Sequence, residues 1–171
     1  KLNTEFKKFF NNSNLKYKSY VLNGDSDKIE SLKNLLDKHE IDYGFAQGGK
    51  VSGYNYATSL QGQMNTSSKD LVVSTNQPKG KMVKVLFEPN AKLSDSITYD
   101  ITAWSIPYAY GLNAIASKSL ILSNASKSIN ATSNSISKTA TGYIVDWNHM
   151  KDAEFLAYLL KQNIKVRFTE K

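Results

Sequence analysis

The sequence predicts an α/β domain built on a mainly parallel sheet, and two stretches carry that expectation. In KSYVLNGDSDKIESLKNLLDKHEIDYGF an apolar run at Tyr20, Val21 and Leu22 precedes a helical pattern of Ile29, Leu32, Leu35 and Leu36. Alternation at Ile41, Tyr43 and Phe45 follows. TGYIVDWNHMKDAEFLAYLLKQNIKVRF repeats this order with Tyr143, Ile144 and Val145, then Ala153, Leu156, Leu159 and Leu160, then Ile164, Val166 and Phe168. Strand, helix, strand is the signature of a parallel crossover, because parallel neighbours need a long connection. The two units flank a central stretch from Asp70 to Gly111 and read as an internal pseudo-repeat, with Leu32 matching Leu156 and Leu36 matching Leu160 on one sheet.

A chain of 171 residues with 40% apolar residues buries one sizeable core, so one domain over residues 1–171 is expected. It has a lead-in arm at residues 1–14, where Phe6, Phe9 and Phe10 share helical spacing, and a Ser/Asn-rich surface loop over about residues 118–141. The first residue is Lys, so the chain reads as a piece of a longer or processed protein. No apolar run is long enough to span a bilayer. With no cysteine, disulfides, thiolate metal sites and a Cys nucleophile are excluded. The formal charge of +7 invites nucleic acid, yet the lysines are scattered and Arg167 is the only arginine, so no nucleic-acid partner is expected.

Taken in order, an Asn/Ser turn leads from the arm to a first strand that ends at Asn23-Gly24. Asp27 with Glu30 three residues on resembles a capping box for the helix after it. GFAQGGK, from Gly44 to Lys50, has the glycine and lysine spacing of a phosphate-binding loop. Val51 stands where a Ser or Thr hydroxyl should follow, and VSGYNYATSLQG is not helical, so it reads as a Gly/Tyr loop instead. Asp70 to Thr75 reads as a buried strand, and Pro78 opens a helix running towards Phe87. Leu112 to Ala116 reads as a further strand, and Leu120 to Leu122 as a short edge strand. Asn124 and Asn130 head Asn-x-Ser/Thr triplets.

No catalytic constellation stands out. His39 and His149 are the two histidines; His149 and Asp152 have ligand-like spacing but lack a third ligand, so no metal site is expected. No G-x-S-x-G elbow is present. The scattered aspartates fall where capping explains them. The best candidate ligand-binding residues are Asn76 and Gln77, amide-bearing and placed just before Pro78 at a strand-to-helix junction, with Tyr99, Asp100 and Trp104 from the aromatic segment. The competing reading has Asn76 cap the helix while the aromatics fill the core.

The runs STNQPKGKMVKVLFEP, SDSITYDITAWSIPYAYGL and DAEFLAYLLKQNIKVRFTEK resemble the region downstream of the catalytic domain in large bacterial zinc carboxypeptidases of the carboxypeptidase A type. In that family the region looks like a class I glutamine-amidotransferase-like (flavodoxin-like) domain. The resemblance therefore implies a three-layer α/β sandwich with a mainly parallel sheet. It also implies a periplasmic or secreted parent whose peptidase domain, not this chain, holds zinc. The peptidase order of His-x-x-Glu and a later His is absent here, and the amidotransferase Cys is missing, so a fold kept without its chemistry is expected. The leading expectation is a non-catalytic accessory domain, without a cofactor, whose partner is the peptidase domain of the same longer chain. The alternatives are a degenerate small-molecule or glycan-binding module, for which a peptide or small molecule is the ligand, and an independent hydrolase.

Overall fold

The computed structural model describes residues 2–90, 105–124, 139–148 and 150–169. The chain divides into two compact units, Lys1–Ala131 and Thr132–Lys171. The first unit carries α1 (Leu2–Phe10), β1 (Ser19–Asn23), α2 (Ser26–Lys38), β2 (Tyr43–Ala46), β3 (Gly49–Asn55), β4 (Leu60–Thr66), β5 (Leu71–Ser74), α3 (Gly80–Phe87), α4 (Ile106–Ala109), β6 (Asn113–Ser117) and β7 (Ser123–Asn124). The second carries α5 (Met150–Lys161).

The strands form one seven-stranded sheet in the order β4-β3-β6-β1-β5-β2-β7, curled into a half-barrel. Each pairing among the described residues is antiparallel. The expected mainly parallel, amidotransferase-like three-layer sandwich is therefore overturned. Its local basis was nevertheless physical. β1 and β2 both run antiparallel to β5, which lies between them, so they are parallel to each other and α2 is a true crossover. β5 and β6 are likewise parallel to each other, joined through α3 and α4, with β1 inserted between them. Two interleaved crossovers of this kind make the split βαβ arrangement over the central strands β6-β1-β5-β2. Each crossover receives its middle strand from the other.

The apolar runs misled for a second reason. In β1, Tyr20 and Leu22 face the helical layer, where Leu32 and Leu36 of α2 and Val83 and Phe87 of α3 are buried with them. Val21 faces the other way and clusters with Val72, Ile115, Ala46 and Val51. An antiparallel sheet often leaves one face to water and then alternates; this one is covered on both faces and so has the continuous apolar strands typical of parallel sheets.

The second cover is the β3–β4 hairpin, in the stretch expected to be a loop. β2 and β3 are nearly consecutive in sequence yet lie apart in the sheet order. Gly48 and Gly49, at φ of 89° and 111°, make the bend between them, a conformation that side chains with a Cβ rarely adopt. The glycines of GFAQGGK thus serve a strand-to-strand bend. β3 pairs with β4 along its length but with β6 only through Tyr54 and Asn55, which lets the hairpin curl over the sheet and bury Val51.

In the second unit, residues 142–148 and 164–169 form no strand, so the expected pseudo-repeat is not a repeat of fold. Its sequence likeness has a local cause. Both helices end in the same left-handed cap: Glu40 and Asn163 sit at φ of 54° and 57°. Ile41 N–H donates to the Leu36 carbonyl, and Ile164 N–H to that of Leu159. Such a cap pairs an apolar residue beyond the helix with one in its last turn, here Ile41 with Leu36 and Ile164 with Leu159. Asp152, read with His149 as ligand-like, accepts the Asn148 N–H at 2.7 Å and so serves the start of α5; His149 lies outside the described residues.

Two core tyrosines behave in opposite ways. Tyr20 is fully buried, its ring stacked on Phe87 at 5.4 Å between centroids, and its hydroxyl has no partner among the described residues. Tyr56 is buried too, but its hydroxyl donates to the Phe87 carbonyl. Tyr20→Phe should therefore raise stability by about 1 kcal/mol, since it removes an unpaired buried polar group, whereas Tyr56→Phe should lower it by about 1 to 3 kcal/mol by stranding a buried carbonyl. Urea midpoints of the two variants check this; a loss for both would mean that the Tyr20 hydroxyl has a partner in solution. Burial pushes both phenols above the ordinary tyrosine range. Above pH about 10 the unfolded chain releases these protons first, so stability falls as pH rises from there towards the folded-state values.

Candidate functional site

A cleft of about 620 Å³ opens in the first unit at the end of β5. Four stretches line it: Phe10, Asn11, Asn12 and Ser13 after α1; Lys18 before β1; Thr75, Asn76 and Gln77 after β5; and Leu120 between β6 and β7. The sheet brings three of these together, because Ser19 of β1 is in register with Ser74 of β5 and with Ser117 of β6. The carboxyl ends of β5 and β6 thus flank the amino end of β1. The rule that ligands sit beyond the carboxyl ends of parallel strands does not apply to such a sheet; what makes the cleft is the loop after α1 closing over this end.

Hydrogen bonds fix that loop. Asn12 Nδ2 donates to the Gln77 carbonyl at 2.8 Å, while Asn12 Oδ1 is buried without a partner among the described residues. Lys18 Nζ donates to the carbonyls of Ser13 at 2.5 Å and Asn12 at 3.4 Å. Thr75 is buried, and its hydroxyl donates to the Tyr17 carbonyl at 3.1 Å.

The two sequence-nominated amides fare differently. Gln77 is committed to structure: its Oε1 accepts the Asp42 N–H at 2.7 Å, and its Nε2 donates to the carbonyls of Ser74 at 2.7 Å and Asp42 at 2.9 Å. It clips the approach to β2 onto the end of β5 and has little left for a ligand. Asn76 is exposed on the cleft; Ser74 Oγ accepts its backbone N–H at 3.0 Å. It does not cap α3, whose N-cap is Lys79 without a side-chain bond. Tyr99, Asp100 and Trp104 lie outside the described residues. Of the same aromatic segment, Tyr108 tilts against Tyr56 at 5.2 Å between centroids and takes no part in lining the cleft.

The chain matches no protein-family model, no curated protein and no solved structure. Sequence reasoning missed Phe10, Asn11, Asn12, Ser13, Lys18 and Leu120. Their signal was the polar Asn-Asn-Ser turn that follows a Phe-rich helix, which looked like an ordinary connection. No group of three or more His, Asp or Glu suited to a metal ion occurs among the described residues, and no described helix is long and apolar enough to cross a membrane. Asn124 Oδ1 accepts from Gln47 Nε2 at 3.2 Å; Asn130 lies outside the described residues.

Proposed function

We propose that this chain is a non-catalytic binding domain that holds a carbohydrate in the cleft after β5. The observation that carries the proposal is the make-up of the lining: carboxamides of Asn11 and Asn76, the Ser13 hydroxyl and the Lys18 ammonium, with the partly exposed Phe10 and Leu120, and no acidic side chain or imidazole. Carboxamides offer donors and an acceptor together, which suits hydroxyls that do both. Exposed apolar groups suit the C–H face of a sugar ring. A cleft with such convergent polar groups is the default place for a small ligand.

A titration with neutral mono- and disaccharides, followed by backbone amide NMR, tests the reading. Saturable shifts should appear at Ser13, Thr75 and Asn76, and Asn76→Ala should weaken binding about tenfold, the worth of one good hydrogen bond. Shifts confined to another surface, or none, would remove it.

The accessory-domain reading is compatible and broader: a ligand held here would be presented to a catalytic partner in a longer chain. The STNQPKG run of the carboxypeptidase resemblance supports it, since that run supplies Thr75, Asn76 and Gln77 to the cleft. Sequencing the reading frame upstream of Lys1 tests it, because a His-x-x-Glu…His peptidase region must be found there.

A further inference from the structure

We propose that the sugar held in the cleft is acidic, a hydroxylated monocarboxylate whose carboxylate pairs with the Lys18 ammonium. This rests on the carbohydrate reading of the cleft and adds the charge of the ligand. Among the described residues, the hydrogen-bond partners of Lys18 Nζ are neutral, the carbonyls of Ser13 and Asn12. An ammonium has three donors, so these two contacts leave one donor and the whole positive charge uncompensated. Ion pairs join Lys28 with Asp25, Lys33 with Glu30, Lys79 with Glu40 and Lys84 with Glu88, and Lys18 is in none of these. None of the nine lining residues is acidic, so no negatively charged side chain among them repels an anion.

The site's geometry also limits which anion fits. Lys18 is half-buried and tied at its tip, so its position is set before a ligand arrives and little side-chain entropy remains to be lost. A charge screened on one side by protein attracts a counter-ion more strongly than one in open water. A phosphate would call for a second cation or an arginine fork, and the lining offers neither. A single carboxylate matches the single ammonium. The carboxamides of Asn11 and Asn76 then face the hydroxyls.

Calorimetric titration of the whole chain with glucuronate, glucose and acetate at low salt tests the proposal. Glucuronate should bind about tenfold more tightly than glucose, the effect of one charge-assisted hydrogen bond. The ratio should shrink as salt is raised to about 0.5 M. Lys18→Arg should keep a preference for the acid and Lys18→Gln should bring the ratio close to one. If Lys18→Gln fails to fold, the salt dependence of the unaltered chain decides. Equal affinity for glucuronate and glucose would overturn the acidic ligand and leave the carbohydrate reading standing. Acetate as strong as glucuronate would overturn it as well, because the ring and hydroxyls would then contribute nothing. No binding of either sugar would overturn both.

Discussion

Leu36→Ala should destabilise the chain by about 2 to 5 kcal/mol, while Leu160→Ala should change stability by less than about 0.5 kcal/mol. The two leucines lie in similar stretches of sequence, each in the last turn of a helix followed by a left-handed cap, although the cap's own register sets Leu36 against Leu159. Their surroundings differ completely. Leu36 is fully buried, packed with Leu32 and Ile29 under the central strands. Truncating it removes apolar area from a close-packed interior and leaves a cavity that the neighbours only partly fill. Leu160 is 57% exposed on α5, so alanine there loses little packing and gains slightly in helix propensity. Urea denaturation of both variants, read by far-UV circular dichroism, checks the pair. Equal losses would restore the pseudo-repeat that the fold contradicts.

Gly53→Ala should be the most damaging single methyl in the hairpin, costing about 1 to 3 kcal/mol as overpacking. A Cβ at Gly53 would lie 2.2 Å from the Ala116 carbonyl oxygen and 2.8 Å from its carbon, both backbone atoms of β6 that no side-chain rotation can move aside. The adjoining residues, Tyr54 and Asn55, are the ones through which β3 pairs with β6. The methyl therefore pushes at the junction where the hairpin joins the rest of the sheet. Hydrogen exchange should report this locally: amide protection at Tyr54 and Tyr56 should fall more than at Val21 or Val72 in the central strands, since regions open in cooperative units. Unchanged stability and protection would mean that β3 does not approach β6 as closely as the fold requires.

The buried parts of the elements were legible because burial leaves a local mark. Ile29, Leu32 and Leu36 recur at helical spacing because only one stripe of α2 meets the sheet. Tyr20, Val21 and Leu22, and Leu71, Val72 and Val73, form unbroken apolar runs because both faces of their strands are covered. The same marks could not tell what does the covering. A second helical layer and a curled hairpin bury a strand equally well, so the parallel sandwich and the antiparallel half-barrel predict the same apolar run. The hairpin itself went unread because β4 is an uncharged edge strand, Leu-Gln-Gly-Gln-Met-Asn-Thr, whose inner face is only half-buried and offers Met64 against the core.

By itself the sequence determined which residues of β1, α2 and β5 are buried, where α2 and α3 run, that β1 and β2 are joined by a crossover, and that an amide-rich turn follows β5. Those properties depend on neighbours a few residues away: helical or alternating spacing, the proline and glycine that end elements, the caps that close them. Only the tertiary structure decided that β5 inserts between β1 and β2, that the sheet is therefore antiparallel, and that the Asn-Asn-Ser turn, Lys18, Asn76 and Leu120 converge on one cleft. Strand order and convergence are fixed by contacts between residues tens of positions apart. Each such contact is one choice among many that satisfy the same local pattern, and packing of the whole core selects between them.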